Sequence, residues 1–234
     1  MKIQNVKKIF ILLSMIIILN CNLNAYDYTK YYLKILLKGV KSWNKYQKKT
    51  GYKGLPISLG FVSIKNKKLD NIDFYKVHVQ TFVLQKSSVK NSDFRYSYIG
   101  GMFEECDLSF SNFSNARILI SIKKCNLYKV NFKNSIFRND IMDSNFTSSN
   151  FSNVRLNSLR IKNSIFINTV FIKSKIDNNT KFINCNFYQA NFKESFIIYD
   201  GFYKEYKDKK PTFKNCNFTN ADFRGALTMN NATF

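Results

Sequence analysis

The chain has 234 residues, 37 Lys+Arg against 15 Asp+Glu, and a formal net charge of +22. Two prolines and eight glycines exclude collagen-like and Pro/Gly low-complexity chains, and 45% apolar with 16% aromatic residues excludes a disordered one. A single histidine, His78, argues against His-based zinc sites and His-based catalytic dyads.

Residues 1–25 are set apart. Lys2, Lys7 and Lys8 precede the apolar run Ile9 to Leu19, and Leu23-Asn24-Ala25 supplies a small residue for cleavage. This is the layout of a secretory signal peptide, with an apolar run too short for a membrane span. An uncleaved anchor is the alternative. Lipidation at Cys21 is disfavoured by Asn20, where a small residue belongs. Cleavage after Ala25 removes three lysines and no carboxylate, so +22 becomes +19. The expected location is therefore exported, periplasmic or secreted. A Lys, Asn, Ile and Phe bias is also what an AT-rich genome produces, so basicity alone does not establish a partner.

Residues 28–48 read as one amphipathic helix. Leu33, Leu36, Leu37, Val40, Trp43 and Tyr46 recur at helical spacing, and Lys30, Lys34, Lys38, Lys41, Lys45 and Lys48 lie largely off that face. Asp27 or Thr29 caps its start, and Gly51 to Gly54 with Pro56 ends it. Segment 26–56 is thus expected to be a cap packed on the C-terminal remainder of the chain, or a cationic helix lying on a membrane.

From Leu84 a large apolar residue recurs every five positions: Leu84, Val89, Phe94, Ile99, then Phe103, Leu108, Phe113, Ile118, and so on to Phe223 and Phe234. Small residues stand two positions earlier, among them Ser92, Cys106, Ser111, Cys125, Cys185, Ala190 and Cys216, often with Asn or Asp between. Neither helix nor strand has this period; a short-period solenoid does. If each step turns the chain by a quarter, four steps close a coil. Large and small residues then point inward and leave no polar core. The shortened steps Ile99–Phe103, Ile118–Ile122 and Phe137–Ile141, and the lengthened Ile176–Phe182, all fall at one corner. The steps from Leu84 to Phe234 amount to about seven and a half coils, a rod of roughly 35 Å.

The pattern resembles the pentapeptide repeat family, whose units are loosely A-(D/N)-(L/F)-x-x. Cys125-Asn126-Leu127-Tyr128-Lys129, Ala190-Asn191-Phe192-Lys193-Glu194 and Ala221-Asp222-Phe223-Arg224-Gly225 carry the likeness. It covers 84–234 clearly and 57–83 weakly. Gly39 to Asn44 is similar to the Gly-x-x-x-Trp-Asn helix that sometimes precedes such repeats. The resemblance implies an all-β solenoid, a right-handed quadrilateral β-helix with an N-terminal capping α-helix, and no enzymatic activity. Some members are acidic rods that mimic DNA and occupy type II topoisomerases. This chain departs from them in the sign of its charge and in its export signal.

No catalytic, cofactor-binding or metal-ligating residue emerges, and no cofactor is expected. Glu104-Glu105 and Asp140 with Asp143 read as solvated turn carboxylates, and His78 as a surface or edge residue. Cys106, Cys125, Cys185 and Cys216 read as buried free thiols, with a Cys106–Cys125 bond as the alternative. Residues 203–210, inside the interruption 199–210, read as a protruding charged loop. The expected partners are an anionic lipid or envelope surface, or a protein met through that loop or one flat face. A terminal Phe234 rung leaves an open coil edge, which suggests an end-to-end homodimer. A cytoplasmic nucleic-acid or topoisomerase binder is the third reading, and it falls away if the chain is exported.

Overall fold

A computed structural model describes residues 29–51, 57–198 and 211–226. The signal peptide 1–25, the cap at Asp27, most of the 51–56 turn, the loop 203–210 and the final rung Phe234 lie outside the described residues.

The expected single helix is two. A first helix, α1 (29–37), is followed by α2 (Val40–Tyr46) and by one π-helical turn, Gln47–Gly51. The break falls at Gly39, whose φ of 101° belongs to the left-handed side of conformational space. The turn is closed by Lys38 N–H to Ile35 O and Gly39 N–H to Leu36 O. Helical spacing of apolar residues continues across Gly39, so periodicity alone hides the break.

The rest is a single parallel solenoid. Its strands are β1 (Ser58–Lys65), β2 (His78–Gln85), β3 (Tyr98–Glu104), β4 (Arg117–Lys123), β5 (Ile136–Phe137), β6 (Ile141–Met142), β7 (Arg155–Leu156), β8 (Arg160–Lys162), β9 (Lys175–Asp177), β10 (Lys181–Ile183), β11 (Phe196–Ile198) and β12 (Thr212–Lys214). All their pairings are parallel, and the offset between partners is one coil. The coil begins at β1, where the repeat signal is weak, because Leu59, Ile64, Leu69 and Phe74 already occupy the four inward positions. Strands occupy two sides. The other two are tied only by single bridges, such as Asp107 to Asn126 and Asn112 to Asn131.

The four sides can be named by their inward residues. Side one carries Leu59, Val79, Ile99, Ile118, Phe137, Leu156 and Ile176, and side two runs from Ile64 to Phe213. Side three runs from Leu69 to Phe187 and then Phe218; side four is phenylalanine throughout, from Phe74 to Phe223. Rings on side four lie face to face, as in Phe94–Phe113 at 4.3 Å and Phe171–Phe192 at 4.6 Å. Offset stacking of this kind adds about 0.5–1.5 kcal/mol per pair beyond burial.

The turns explain the Asn and Asp that precede many inward residues. Asp93 Oδ1 accepts the Arg95 N–H at 2.9 Å, and Asn131 Oδ1 accepts that of Lys133 at 3.0 Å. Such Asx turns set the chain for a β-turn two residues on. Ser97 N–H then closes on Phe94 O, and the second of the two residues between them, Tyr96, takes a φ of 59°.

Length variation is confined to the corner joining side one to side two, as the spacing predicts. In β1 to β4 the chain runs through that corner as one strand of seven or eight residues, with no closed turn to fix its length. The segment from Ile198 to Thr212 inserts at the same corner.

The interior departs from the expectation of a purely apolar core. Small inward positions are often serine, and most of these hydroxyls donate to a carbonyl. Ser111 Oγ donates to Val89 O at 2.8 Å, and Ser149 Oγ to Leu127 O at 2.6 Å. A small polar residue is tolerated inside because a carbonyl is within reach, in the previous coil for these two and two residues back in the same coil for Ser144 and Ser164.

The helices lie over the first coil. Trp43 is fully buried against Phe74, at 5.4 Å between rings, and its Nε1–H donates to Asp73 O at 2.5 Å. Asn44 Nδ2 donates to Asn71 O at 2.7 Å, and Asn44 Oδ1 accepts the Asp73 N–H at 2.9 Å. These bonds occupy edge groups that an uncapped coil would leave unpaired.

Candidate anion-binding face

The outward positions of side one are unlike the others. The residue preceding each inward rung forms a column in strand register: Ser58, His78, Tyr98, Arg117, Ile136, Arg155, Lys175 and Phe196. Arg138 sits one residue past Phe137 at the adjoining corner. Arg117, Arg138, Arg155 and Lys175 are all exposed. Two carboxylates stand two residues from these cations: Asp177 is buried and accepts the Asn179 N–H at 2.7 Å, and Asp140, partly exposed, pairs with Arg160 at 3.8 Å.

The ion pairs of the described residues lie elsewhere. Lys123–Glu104 at 3.0 Å, Lys86–Glu105 and Arg160–Asp140 are on side two, and Lys68–Asp70 is on side three. Arg95–Asp93, Arg224–Asp222 and the two lysines around Glu194 are on side four. Hydrogen bonds from Lys123 and then Gln85 lower the Glu104 pKa below the usual carboxylate range. The bidentate Arg224 guanidinium lowers that of Asp222 to about 2. None of these ion pairs lies on side one, whereas each of the other three sides carries at least one. Arginine suits phosphate, because its planar fork can donate two parallel hydrogen bonds.

The other residues singled out from sequence are not brought together as a site. Glu104, Glu105 and Asp140 are ion-paired, and Asp143 accepts from Asn163 Nδ2 at 3.0 Å. His78 packs edge-on against Tyr98, 4.4 Å between rings. Among the described residues no three His, Cys, Asp or Glu converge as a metal site.

The four cysteines share one inner column, in the small position before the side-three rungs. Cys106 is followed by Cys125, then Ser144 and Ser164, then Cys185 and Cys216. The fourth cysteine joins the column because the insertion before Thr212 carries it one full coil on. All four are free thiols. Cys125 Sγ donates to Lys123 O and Phe103 O, and Cys106 Sγ to Glu104 O and Leu84 O. Thiol–thiol hydrogen bonds to Cys106 and Cys216, with burial, hold Cys125 and Cys185 protonated well above the ordinary thiol range.

Sorting exposed residues by side reveals the cationic face, and the sequence contained that signal. The outward cations taken in chain order do not show it, because only the register of the coils separates paired from unpaired charges.

Five-residue steps at three corners, Asx turns before the inward rungs, and paired columns of small and large residues decide the architecture. The fold is a pentapeptide-repeat β-helix. Neither a protein-family model nor a curated protein matches the sequence. Among solved structures, the chain is similar to HetL, a pentapeptide repeat protein involved in heterocyst differentiation regulation, from the cyanobacterium Nostoc sp. strain PCC 7120. That match has 12% identity over 80% of this chain and 94% of the other, with a TM-score of 0.25. It is similar to full-length QnrB1, a plasmid-mediated fluoroquinolone resistance protein, at 17% identity over 72% and 92%, with a TM-score of 0.30. A pentapeptide repeat protein (Rfr23) from the cyanobacterium Cyanothece 51142 matches at 11% identity over 82% and 97%, with a TM-score of 0.22. These likenesses carry no functional information for this chain.

Proposed function

We propose that the protein is an exported, non-enzymatic scaffold that docks side one of its β-helix on an anionic envelope surface. The carrying observation is the row of Arg117, Arg138, Arg155 and Lys175, all exposed, with the partly exposed carboxylate beside it, Asp140, turned to Arg160 on side two and Asp177 buried. A flat β-helix side presents these cations together to a flat partner. Tyr98 and Phe196 bracket the row in the same column, and the Tyr98 ring, apolar with a polar hydroxyl, suits a headgroup boundary. The basic and apolar pattern of residues 1–25 supports export, with membrane anchoring through an uncleaved signal as its variant.

Each basic side chain at an anionic surface contributes about 1 kcal/mol, so Arg117→Gln/Arg138→Gln/Arg155→Gln is expected to weaken binding to phosphatidylglycerol vesicles by roughly a hundredfold. Binding should also fall steeply with salt. Lys90→Gln/Lys129→Gln/Lys133→Gln removes equal charge from other sides and should do far less. Equal losses in both variants would reject side one as the docking face. The mass of the mature N-terminus tests export: cleavage before Tyr26 is expected, and an intact Met1 in a cytoplasmic fraction overturns it.

A protein target is the second reading. It is favoured by the corner between sides one and two, where all changes in coil length accumulate, since loops on a rigid scaffold carry recognition. Deleting 203–210 would abolish capture of such a partner and leave vesicle binding intact.

A further inference from the structure

The basic charge has a second concentration, at the capped end. Residues 29–51 and 57–76 hold eleven lysines against two aspartates, Asp70 and Asp73. Part of this charge surrounds a concave feature. An open cleft of about 730 Å³ runs between α2 and the first coil, lined by Lys41, Lys45, Lys48, Lys68, Asn44 and Asp70 among others.

The cleft arises from the way α2 is seated. Trp43 and Gln47 point into the coil and are buried, which leaves Lys41, Lys45 and Lys48 exposed along the same stretch of helix. Lys41 and Lys45 are one turn apart, and Lys48 comes next in the π turn. Asn44, between them, is locked by its two backbone bonds to Asn71 and Asp73. The lysine row is therefore fixed relative to Lys68 on the opposite wall.

The charge in the cleft does not balance. Its one carboxylate, Asp70, is committed: it accepts from Ser88 Oγ, takes the Lys90 N–H at 3.0 Å, and lies 3.8 Å from Lys68 Nζ. Lys41, Lys45 and Lys48 make no ion pair among the described residues. Four ammonium groups facing one spoken-for carboxylate attract a multiply charged anion. The volume falls in the range of small-molecule sites. A flat bilayer cannot enter a cleft, whereas a protruding phosphate group can.

We propose that this cleft binds a phosphate group carrying at least two negative charges, a phosphomonoester or pyrophosphate. Such a group could reach it free in solution or on a lipid headgroup. The site is separate from side one and does not depend on docking there.

The test uses the full chain and inorganic pyrophosphate, followed by calorimetry at about 0.15 M salt, where exposed long-range attraction is largely screened. One-site binding is expected. Lys41→Gln/Lys45→Gln should weaken it at least tenfold, and Lys129→Gln/Lys133→Gln, with the same charge removed, less than twofold. The side-one variants should leave it unchanged. A parallel arm uses phosphatidylcholine vesicles containing phosphatidic acid. Binding there that pyrophosphate displaces assigns both sources to the cleft, and loss in the cleft variant without pyrophosphate binding assigns the lipid source. Equal weakening in cleft and control variants, or no binding of either probe to the wild type, overturns the proposal. These lysines are exposed, so the variants should unfold at the wild-type temperature.

Discussion

Arg155 and Lys175 stand in register on adjacent parallel strands, one coil apart, with both side chains exposed and no carboxylate beside them. Like charges placed directly opposite one another in a sheet are destabilising. The arrangement therefore costs stability, which is what a surface kept for an external anion would show. Arg155→Gln is expected to stabilise the rod by about 0.2–1 kcal/mol, with the gain shrinking in high salt. The same substitution should weaken binding to anionic vesicles. Urea unfolding at two salt concentrations, read beside vesicle sedimentation, checks the opposite signs. A loss of stability would mean that the Arg155 stem packs rather than repels.

Gly100 and Gly101 mark the place where the coil shortens. The β2–β3 register slips between Val79 and Phe82, and the two glycines lie opposite that slip. A Cβ on Gly101 would stand 2.4 Å from Phe82 O, and the residue has a φ of 113°. A Cβ on Gly100 would meet Gln80 O at 2.3 Å. Gly39 shares the positive φ but has nothing within 4 Å of an added Cβ. Gly39→Ala should therefore cost only backbone strain, about 1–3 kcal/mol. Gly101→Ala should cost more than that, because the clash is with backbone that cannot move aside. Thermal unfolding of the two variants measures the difference, and equal destabilisation would show that the coil relaxes around Gly101.

Buried serines of one chemistry should respond with opposite sign. Ser149 Oγ donates to Leu127 O and accepts the Val130 N–H at 3.0 Å. Ser174 Oγ is buried with no hydrogen-bond partner, as are Ser135 and Ser195 in the same inner column. Ser149→Ala removes two hydrogen bonds and leaves Leu127 O and the Val130 N–H only their mutual 3.3 Å turn bond, which should cost about 1–3 kcal/mol. Ser174→Ala removes an unsatisfied hydroxyl and should be neutral or stabilising by up to about 1 kcal/mol. Denaturant midpoints at constant m-value would separate the two.

The five-residue period exposed the solenoid because each inward rung needs a large side chain and each narrow corner a small one. Phe94, Phe113 and Phe132 could be placed on one column by counting alone. The run 57–83 was harder to read, since Val77, Ile72 and Val62 fill small positions with larger residues, all buried. The break at Gly39 was hidden because Leu36 and Val40 keep helical spacing across it. The cationic face was hidden for another reason. Arg117 and Lys123 look equivalent in sequence, and only the coil register brings Glu104 beside one of them and Tyr98 beside the other.

The cysteine column predicts an alkaline limit to stability. In the folded chain, thiol–thiol hydrogen bonding and burial raise the Cys125 and Cys185 pKa values, while the same hydrogen bonds lower those of their partners Cys106 and Cys216; unfolded thiols titrate near about 8.5. A group whose folded pKa lies above its unfolded value contributes stability that is complete below the unfolded pKa and is lost as pH rises toward the folded one. The lowered partners add stability as pH rises and have done so fully by the unfolded pKa, so above roughly pH 8.5 the two raised thiols set the slope and unfolding should become easier by at most about 1.4 kcal/mol per pH unit for each. Cys125→Ala/Cys185→Ala removes both groups and should flatten that slope, whatever offset it adds to stability at acidic pH. Urea unfolding under reducing conditions at about pH 9 and pH 10, above the unfolded thiol pKa, gives the comparison. Identical slopes in the two proteins would mean that the alkaline loss comes from lysine and tyrosine titration on the rod's surface, and that the thiols ionise as readily inside the coil as outside it.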